Sequence, residues 1–474
     1  MEEASKSGFA GSGGAGIFDT LLHGRLPATI AVISITLIAL GIAKLSSPTL
    51  DPKEPPLLKS RIPVIGHIIG SNRYSQVKCA TLPMLNGKLY AVYDPYLCQQ
   101  VLRNNLASFD PFQLEFAQKV FGLSQTTYNK IIRNPSIFKD FTDAIHRSFQ
   151  TESLAKMNLL WLTDFTAKVG PMSARNAVID PDNTGRESIA EDGTVEAFSE
   201  YYAAGYYALD PTTATVTFNR ANTLAEYGFT GDEIGLMECI LPAVSTLNAV
   251  PTLFWLLLHI LPDVFLVEEL REEIAASVEI SGSDSTGGRV VTFDISKFET
   301  ELTLLVSCYR ETLRLANHVI CNRRVMQDMT LQDQDGRTYL LKKGVDIQLP
   351  GGVTHRDNAT WGPDAARFRA DRFLASTSKI TDADRTRRAA YMPFGGGRHL
   401  CPGRNFAFAE IIGCAAVMLL GFDIEATGMK FEEMEVQGPR LSSATVKPAN
   451  SGQGLGARMK PRDGFENVSW EFRV

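Results

Sequence analysis

The stretch PFGGGRHLCPGRNFAFAE, Pro393 to Glu410, limits what this chain can build more than any other. Its three consecutive glycines permit backbone conformations closed to other residues and let something flat and bulky approach the main chain. Phe394 to Leu400 therefore reads as a loop laid against a ligand. Pro402 suits the first turn of a helix, and the apolar run from Phe406 to Leu420 is long enough to be that helix. Cys401 then sits at a helix N-terminus, where unpaired N–H groups and the helix dipole favour thiolate over thiol. A thiolate there is a nucleophile or a metal ligand. The plainer alternative is an inert, buried cysteine after a glycine turn, the commoner fate of a free cysteine.

The rest of the chain bears on that choice. With 474 residues it can bury a large core, as one big domain or as two or three. Its formal net charge of -6 argues against a nucleic-acid binder, which carries a basic surplus. The cysteines, Cys79, Cys98, Cys239, Cys308, Cys321, Cys401 and Cys414, show no C-x-x-C pair and no zinc-type spacing. They read as reduced thiols, not as a disulfide framework. No G-x-S-x-G marks a hydrolase, and the other histidines are scattered singly along the chain.

The N-terminus is informative. Residues 1–25 open on the small and polar MEEASKSGFAGSGGAG and are expected to be disordered. LPATIAVISITLIALGIA, Leu26 to Ala43, holds no charge and with Lys44 and Leu45 reaches the roughly 20 residues of a membrane helix. A secretory signal has a shorter apolar core and a small-residue cleavage site. The expected organisation is a transmembrane anchor at 26–45, a stiff Pro-rich hinge at 46–66 and a catalytic body at 67–474.

Within the body, Lys88–Asp94 alternates as a strand and Pro95–Asn104 follows as a helix, while most of 113–170 is helix-like and 173–195 is loop-like. Thr230, followed by Asp232 and Glu233, is the predicted N-cap of a long helix to about Ala276, bent at Pro242 and Pro251. A second helix is predicted over Ser296–Ala316, and Met329–Leu349 reads as a hairpin around DQDG. The fold class is mainly α with a minor β-sheet region.

Three further features bear on Cys401. In YRETLRL, Glu311 and Arg314 share a helix face, although such a pair alone is usually a solvated surface feature. In FRADRF, Arg372 alone is only a loop arginine. The third feature is order: a helix with E-x-x-R, a hairpin, F-x-x-x-R-F, then F-x-x-G-x-x-x-C-x-G and a helix. In that order the chain resembles the cytochrome P450 superfamily, the haem-thiolate monooxygenases, from near Pro55 to the C-terminus. The resemblance implies a triangular, mainly helical P450 fold behind an N-terminal transmembrane helix, with haem b between two long helices and Cys401 as axial ligand of the haem iron. It implies that Glu311, Arg314 and Arg372 form a structural triad holding the cysteine loop. Phe394 would pack on the haem face, and Arg323, Arg398 and His399 would meet its carboxylates. A thiolate ligand pushes electron density onto iron and favours O–O cleavage.

Departures from the family pattern matter. His399 stands where arginine is usual, a replacement some members share, and Ala370 where proline is usual. In AVSTLNAVPTLFW, Leu247 and Asn248 occupy the places of the family's proton-relaying acid and alcohol. That pattern, with GRTYLLKKGVDIQLPGGVTHRD after it, is similar to the branch of sterol 7α-hydroxylases and prostacyclin synthase. Asn248 is thus a catalytic candidate beside Cys401, weighed against a plain role at the kink made by Pro251. An amide can hold a water or peroxide oxygen but cannot titrate. The segment between His146 and Asn248 is shorter than is usual in the family, and Tyr201–Phe218 does not resemble its lid helices.

The expected function is that of a monooxygenase held in the endoplasmic reticulum membrane by a single pass, with a cytosolic body. No flavin domain follows Cys401, so electrons are expected from NADPH-cytochrome P450 reductase. One atom of O2 would enter a lipophilic terpenoid, steroid-like or polyketide substrate. The cysteine loop looks most like fungal microsomal members, many of which serve secondary metabolism. Two alternatives stay open: a haem-thiolate isomerase or dehydratase of a peroxide, working without a reductase, and a non-catalytic haem- or lipid-binding protein.

Overall fold

A computed structural model describes residue 34 and residues 49–58, 77–84, 87–120, 122–169, 177–179, 192–283, 288–375, 379–427, 430–433, 445 and 457–474. The expected disordered start lies outside them, and so does the anchor at 26–45 but for residue 34.

The expected strand forms as Gly87–Val92, and Pro95 opens the helix Pro95–Arg103, whose first turn is capped by Asp94 accepting from the N–H groups of Tyr96 and Leu97. That strand lies in a five-stranded sheet ordered Cys79–Met84, Gly87–Val92, Asp346–Pro350, Ile320–Val325, Ala107–Ser108. Its pairings are antiparallel except between Gly87–Val92 and Asp346–Pro350. The hairpin predicted over Met329–Leu349 resolves into Met329–Gln332 paired with Thr338–Leu341, turned at Gly336 with φ +83°, and a separate strand that joins the larger sheet. Within the expected loop 173–195 the described residues form a strand and a helix start: Ala177–Ile179 pairs with Ala457–Met459, and a helix starts at Asp192.

The expected hinge is described at 49–58, and there it is bonded to the sheet. Leu57 bridges Thr81 in parallel, the Thr81 hydroxyl donates to the Pro55 carbonyl at 2.7 Å, and the Leu340 N–H donates to the Lys53 carbonyl. Buried Glu54 accepts from Lys88 Nζ at 2.5 Å and from the Tyr90 hydroxyl at 2.6 Å.

The helix predicted from Thr230 to Ala276 is three helices. Thr230 does cap the first, Gly231–Glu238, in a reciprocal box with Glu233. The long apolar helix Ile240–Ile260 follows, with Pro242 in its first turn and Pro251 inside it. The sharp break falls instead at Leu261–Asp263, where Pro262 has no N–H to give and Asp263 caps the next helix, Val264–Ser277, at 116° to the last. The predicted Ser296–Ala316 helix is likewise divided, and its main part, the charged helix, is Thr303–Ala316.

The largest core cluster is built on the cysteine helix, Arg404–Gly421, whose residues from Ala409 onward are all buried. This helix is long and apolar enough to cross a membrane, but 72% of it is buried inside the protein, as suits a core helix. It packs against Thr151–Val169, the long apolar helix and the charged helix. Away from this core, Thr215–Glu226 packs on Pro135–Ser148, and Gly231–Glu238 on Asp192–Ala203. Between these short helices Arg220 Nε approaches Glu238 Oε1 to 3.0 Å, both side chains buried, with the guanidinium 4.8 Å from the Phe141 ring centroid. The long apolar helix spans both regions: Trp255, Leu256 and Ile260 are buried, whereas Val244, Leu247 and Val250 are exposed.

Candidate active site

Glu311 and Arg314 are one helical turn apart and wholly buried, so each must find its partner inside the protein. Arg314 Nε and Nη2 donate to the two oxygens of Glu311 at 2.8 Å each, a bidentate fork. Arg372 Nε adds a bond to Glu311 Oε1 at 2.9 Å. The other donors of the two arginines go mostly to backbone carbonyls, Arg314 to His355, at 2.5 Å, and Ala365, Arg372 to Trp361 and Asp364, and Arg372 Nη2 also pairs with the Asp364 carboxylate at 3.2 Å. The triad thus ties the charged helix to residues 355–372.

The cysteine loop begins at Met392 and is tied to itself. The Cys401 N–H donates to the Phe394 carbonyl at 3.0 Å, and Arg404 Nη1 donates to the Cys401 carbonyl at 3.1 Å. The helix starts at Arg404, so Pro402 lies in the turn before it and not in its first turn. Burial pushes the Cys401 thiol up, while the N–H groups of Gly403 and Arg404 and the Arg404 charge pull it down. Burial wins, so the helix start by itself does not hold the sulfur ionised. A cation bound at the sulfur would reverse that balance, because a coordinating thiol is deprotonated outright.

Two of the three glycines are required by close contacts within the protein. A Cβ on Gly397, whose φ is +64°, would come within 1.7 Å of the Leu102 carbonyl oxygen, and one on Gly396 within 2.8 Å of Leu102 Cδ1. The loop is pressed against the end of the helix Pro95–Arg103. Gly395 would make only ordinary contacts through a Cβ, with His399 and Cys321, but its φ of +75° itself favours glycine.

Beside the loop stands a basic cluster. Buried Arg323 donates to the carbonyls of Gly396 at 3.1 Å and Asn322 at 2.7 Å, and its Nε is buried with no hydrogen-bond partner. Burial lowers its proton affinity. His399 Nε2 accepts from Arg398 Nε at 3.0 Å and from the Phe109 N–H at 3.3 Å, so its proton sits on Nδ1, facing Asp110 at 3.5 Å. Burial keeps His399 neutral, its pKa pushed down to about 4. Arg398 is exposed and reaches Asp110 only at 3.7 Å. A buried arginine with an orphaned donor calls for an anion. Together with a sulfur that a bound cation would ionise, these residues fit an iron porphyrin with carboxylate arms: Cys401 toward the metal, Arg323 and Arg398 toward the carboxylates. Phe394 packs at the edge of the main core cluster.

Asn248 lies on the long apolar helix, half-buried beside exposed Leu247. Its side-chain oxygen accepts from the Thr445 N–H at 3.2 Å, and its carbonyl accepts from the Thr252 hydroxyl at 2.6 Å, just past Pro251. The amide therefore ties this turn to residue 445. Residues 446–456, which follow Thr445, lie outside the described residues.

Sequence reasoning missed three groups near the loop. His355 is wholly buried, and its Nε2 accepts from the Met392 N–H at 3.0 Å. Burial pushes its pKa down to about 3. Asn317 Nδ2 donates to the Pro393 carbonyl at 3.1 Å. Glu410 is buried in the cysteine helix, and burial pushes its pKa up to about 8. A single carboxylate within FAFAEIIGCAAVML was the legible signal for Glu410; the other two had none.

The family model for cytochrome P450 matches residues 243–449. A cytochrome P450 monooxygenase of Gibberella zeae is 31% identical over 520 aligned positions, covering 96% of this chain and 98% of its own. Those positions outnumber the 474 residues here, so that relative carries segments this chain lacks. Cytochrome P450 7A1 of Rattus norvegicus is 31% identical over 206 residues, 42% of this chain and 39% of that one. Among solved structures, the cytochrome P450 CYP102L1 matches with a TM-score of 0.61 at 16% identity, covering 86% of this chain and all of that one, a likeness of fold.

Proposed function

The chain belongs to the cytochrome P450 family and is a monooxygenase of it, and we propose that it is a membrane-anchored enzyme of secondary metabolism acting on a lipophilic terpenoid, steroid-like or polyketide molecule, with Cys401 as the thiolate ligand of haem b. The observation that carries this reading is a half-buried sulfur, aimed at by the Gly403 and Arg404 amides, on the loop that a buried arginine with an unpaired Nε holds at Gly396. Haem, when bound, supplies the oxidising chemistry. The protein's own part is to present the sulfur, to exclude water with the buried cysteine helix, and to neutralise the haem carboxylates through Arg323 and Arg398. His399 steadies the loop against Phe109 and Asp110. Leu26–Leu45 would hold the chain in the endoplasmic reticulum membrane, and NADPH-cytochrome P450 reductase would supply electrons.

The test is the difference spectrum of the reduced protein with and without carbon monoxide, in membranes from cells making the full chain, followed by NADPH consumption with the reductase and candidate substrates. The red-shifted Soret band of a thiolate-bound carbonyl haem is expected. Its absence in well-expressed protein would overturn the reading.

A further inference from the structure

The triad's hydrogen bonds go to residues 355–372, and among the described residues none reaches Met392–Gly403. Something else must carry its rigidity to the sulfur. We propose that His355 and Asn317 are the positioning residues that do so, a two-point clamp on Met392–Pro393 from which the cysteine loop is suspended.

His355 belongs to both sides of the junction. Its backbone carbonyl accepts from Arg314 Nη1 at 2.5 Å, and its ring Nε2 accepts from the Met392 N–H at 3.0 Å. The ring is wholly buried and lies beside Tyr391, centroids 5.8 Å apart. Asn317 closes the charged helix: its N–H donates to the Leu313 carbonyl at 3.1 Å, and its side-chain oxygen accepts from the Val319 N–H at 2.9 Å. Its Nδ2 is thereby aimed at the Pro393 carbonyl, 3.1 Å away. With this base fixed, the loop folds back on it: the Gly395 N–H donates to the Met392 carbonyl, and the Cys401 N–H to the Phe394 carbonyl.

The chemistry of the clamp is specific. Met392 N–H and Pro393 C=O are buried backbone groups in a strongly bent segment, and neither has a ladder partner there. Nε2 can accept only if the proton is on Nδ1, and the neighbouring Asn317 carbonyl, though outside hydrogen-bond geometry, favours the proton on that side. A side chain at 355 must therefore offer a neutral acceptor at the reach of Nε2. Glutamine can, asparagine is too short, and leucine offers none.

This inference rests on Cys401 being the haem thiolate, and the test separates the two ideas. Full-length wild type, His355→Gln, His355→Asn, His355→Leu and Asn317→Ala are compared by the carbon monoxide spectrum per haem, by the rate at which the thiolate band is lost on warming, and by hydrogen exchange of the peptide spanning Met392. Loss of the band is expected to be roughly tenfold faster in His355→Leu and His355→Asn, the effect of orphaning a buried amide, with His355→Gln within about twofold of wild type and Asn317→Ala between them. Where the leucine variant yields no folded protein, glutamine against asparagine decides. Equal behaviour of the glutamine and asparagine variants, whether both intact or both damaged, overturns the clamp. A wild type without the thiolate band overturns the reading of Cys401 instead.

Discussion

Two regions of this molecule each bury an arginine–glutamate pair, and they finish it differently. On the charged helix, Arg314 and Glu311 meet through a bidentate fork with both partners completed by backbone carbonyls and by Arg372. Among the short helices before the long apolar helix, Arg220 and Glu238 approach to 3.0 Å without hydrogen-bond geometry, and Arg220 adds one bond, to the Met237 carbonyl. Burial pushes Glu238 up to about 7, only partly offset by Arg220. Two buried charges repay their desolvation only when their other bonding positions are also filled. The first region is therefore built for a fixed geometry, while the second, beside exposed Val244, Leu247 and Val250, leaves its polar groups under-satisfied.

The sharpest test of the fixed region is its endpoint. Cys401→Ser is expected to abolish the thiolate-type carbonyl spectrum altogether, and activity retained with that spectrum would end the assignment. Next comes the same injury inflicted on both regions. Glu311→Ala leaves buried guanidinium charge unpaired, at a cost of roughly 3 to 5 kcal/mol, and is expected to prevent haem incorporation. Arg220→Ala also orphans a charge, but Glu238 can answer by keeping its proton, so a smaller loss of about 1 to 3 kcal/mol in urea unfolding, with the haem spectrum intact, is expected. Equal haem loss in the two variants would erase the distinction drawn between the regions.

A milder probe uses pH. Glu410, held by burial at about 8 in the folded protein against 4.5 for the free group, keeps its proton when the unfolded chain has lost it. Its contribution to stability is fully present below pH 4.5 and shrinks as pH rises towards 8. Glu410→Gln should remove that decline and be more stable than wild type at pH 8. Parallel urea midpoints for the two proteins from pH 6 to 8 would refute this. The smallest effect belongs to Asn248→Ala, which removes the tie to Thr445, worth about 1 kcal/mol. Altered turnover with an unchanged haem spectrum is expected; unchanged turnover would leave Asn248 as a kink residue only.

The cysteine loop, the E-x-x-R helix and the strand before Pro95 were legible because each is written in contiguous letters with its own local physics. The glycines show the limit of that. Their freedom was legible, but the reason at Gly396 and Gly397 is Leu102, some three hundred positions earlier in the chain. His355 and Asn317 carry no local signature, since their roles exist only where three distant segments meet. The misplaced helix break has a similar cause. Pro251 and Pro262 are the same residue, but the helix runs on through Pro251, where the Thr252 hydroxyl bonds back to the Asn248 carbonyl, whereas Pro262 is followed by an aspartate that starts a new helix. Nothing local marked Arg220 and Glu238 as a pair, although Glu238 lies within the helix predicted from Thr230.

The docking of residues 51–58 also sets how a pull would travel. Tension arriving along the chain from before Asp51 meets the parallel bridge at Leu57–Thr81, the Lys53–Leu340 bond and the Glu54 carboxylate with Lys88 and Tyr90. These bonds share the load in shear and would not open one after another. The force would be spent on the edge of the sheet, leaving the sulfur mechanically insulated from whatever tugs at the other end.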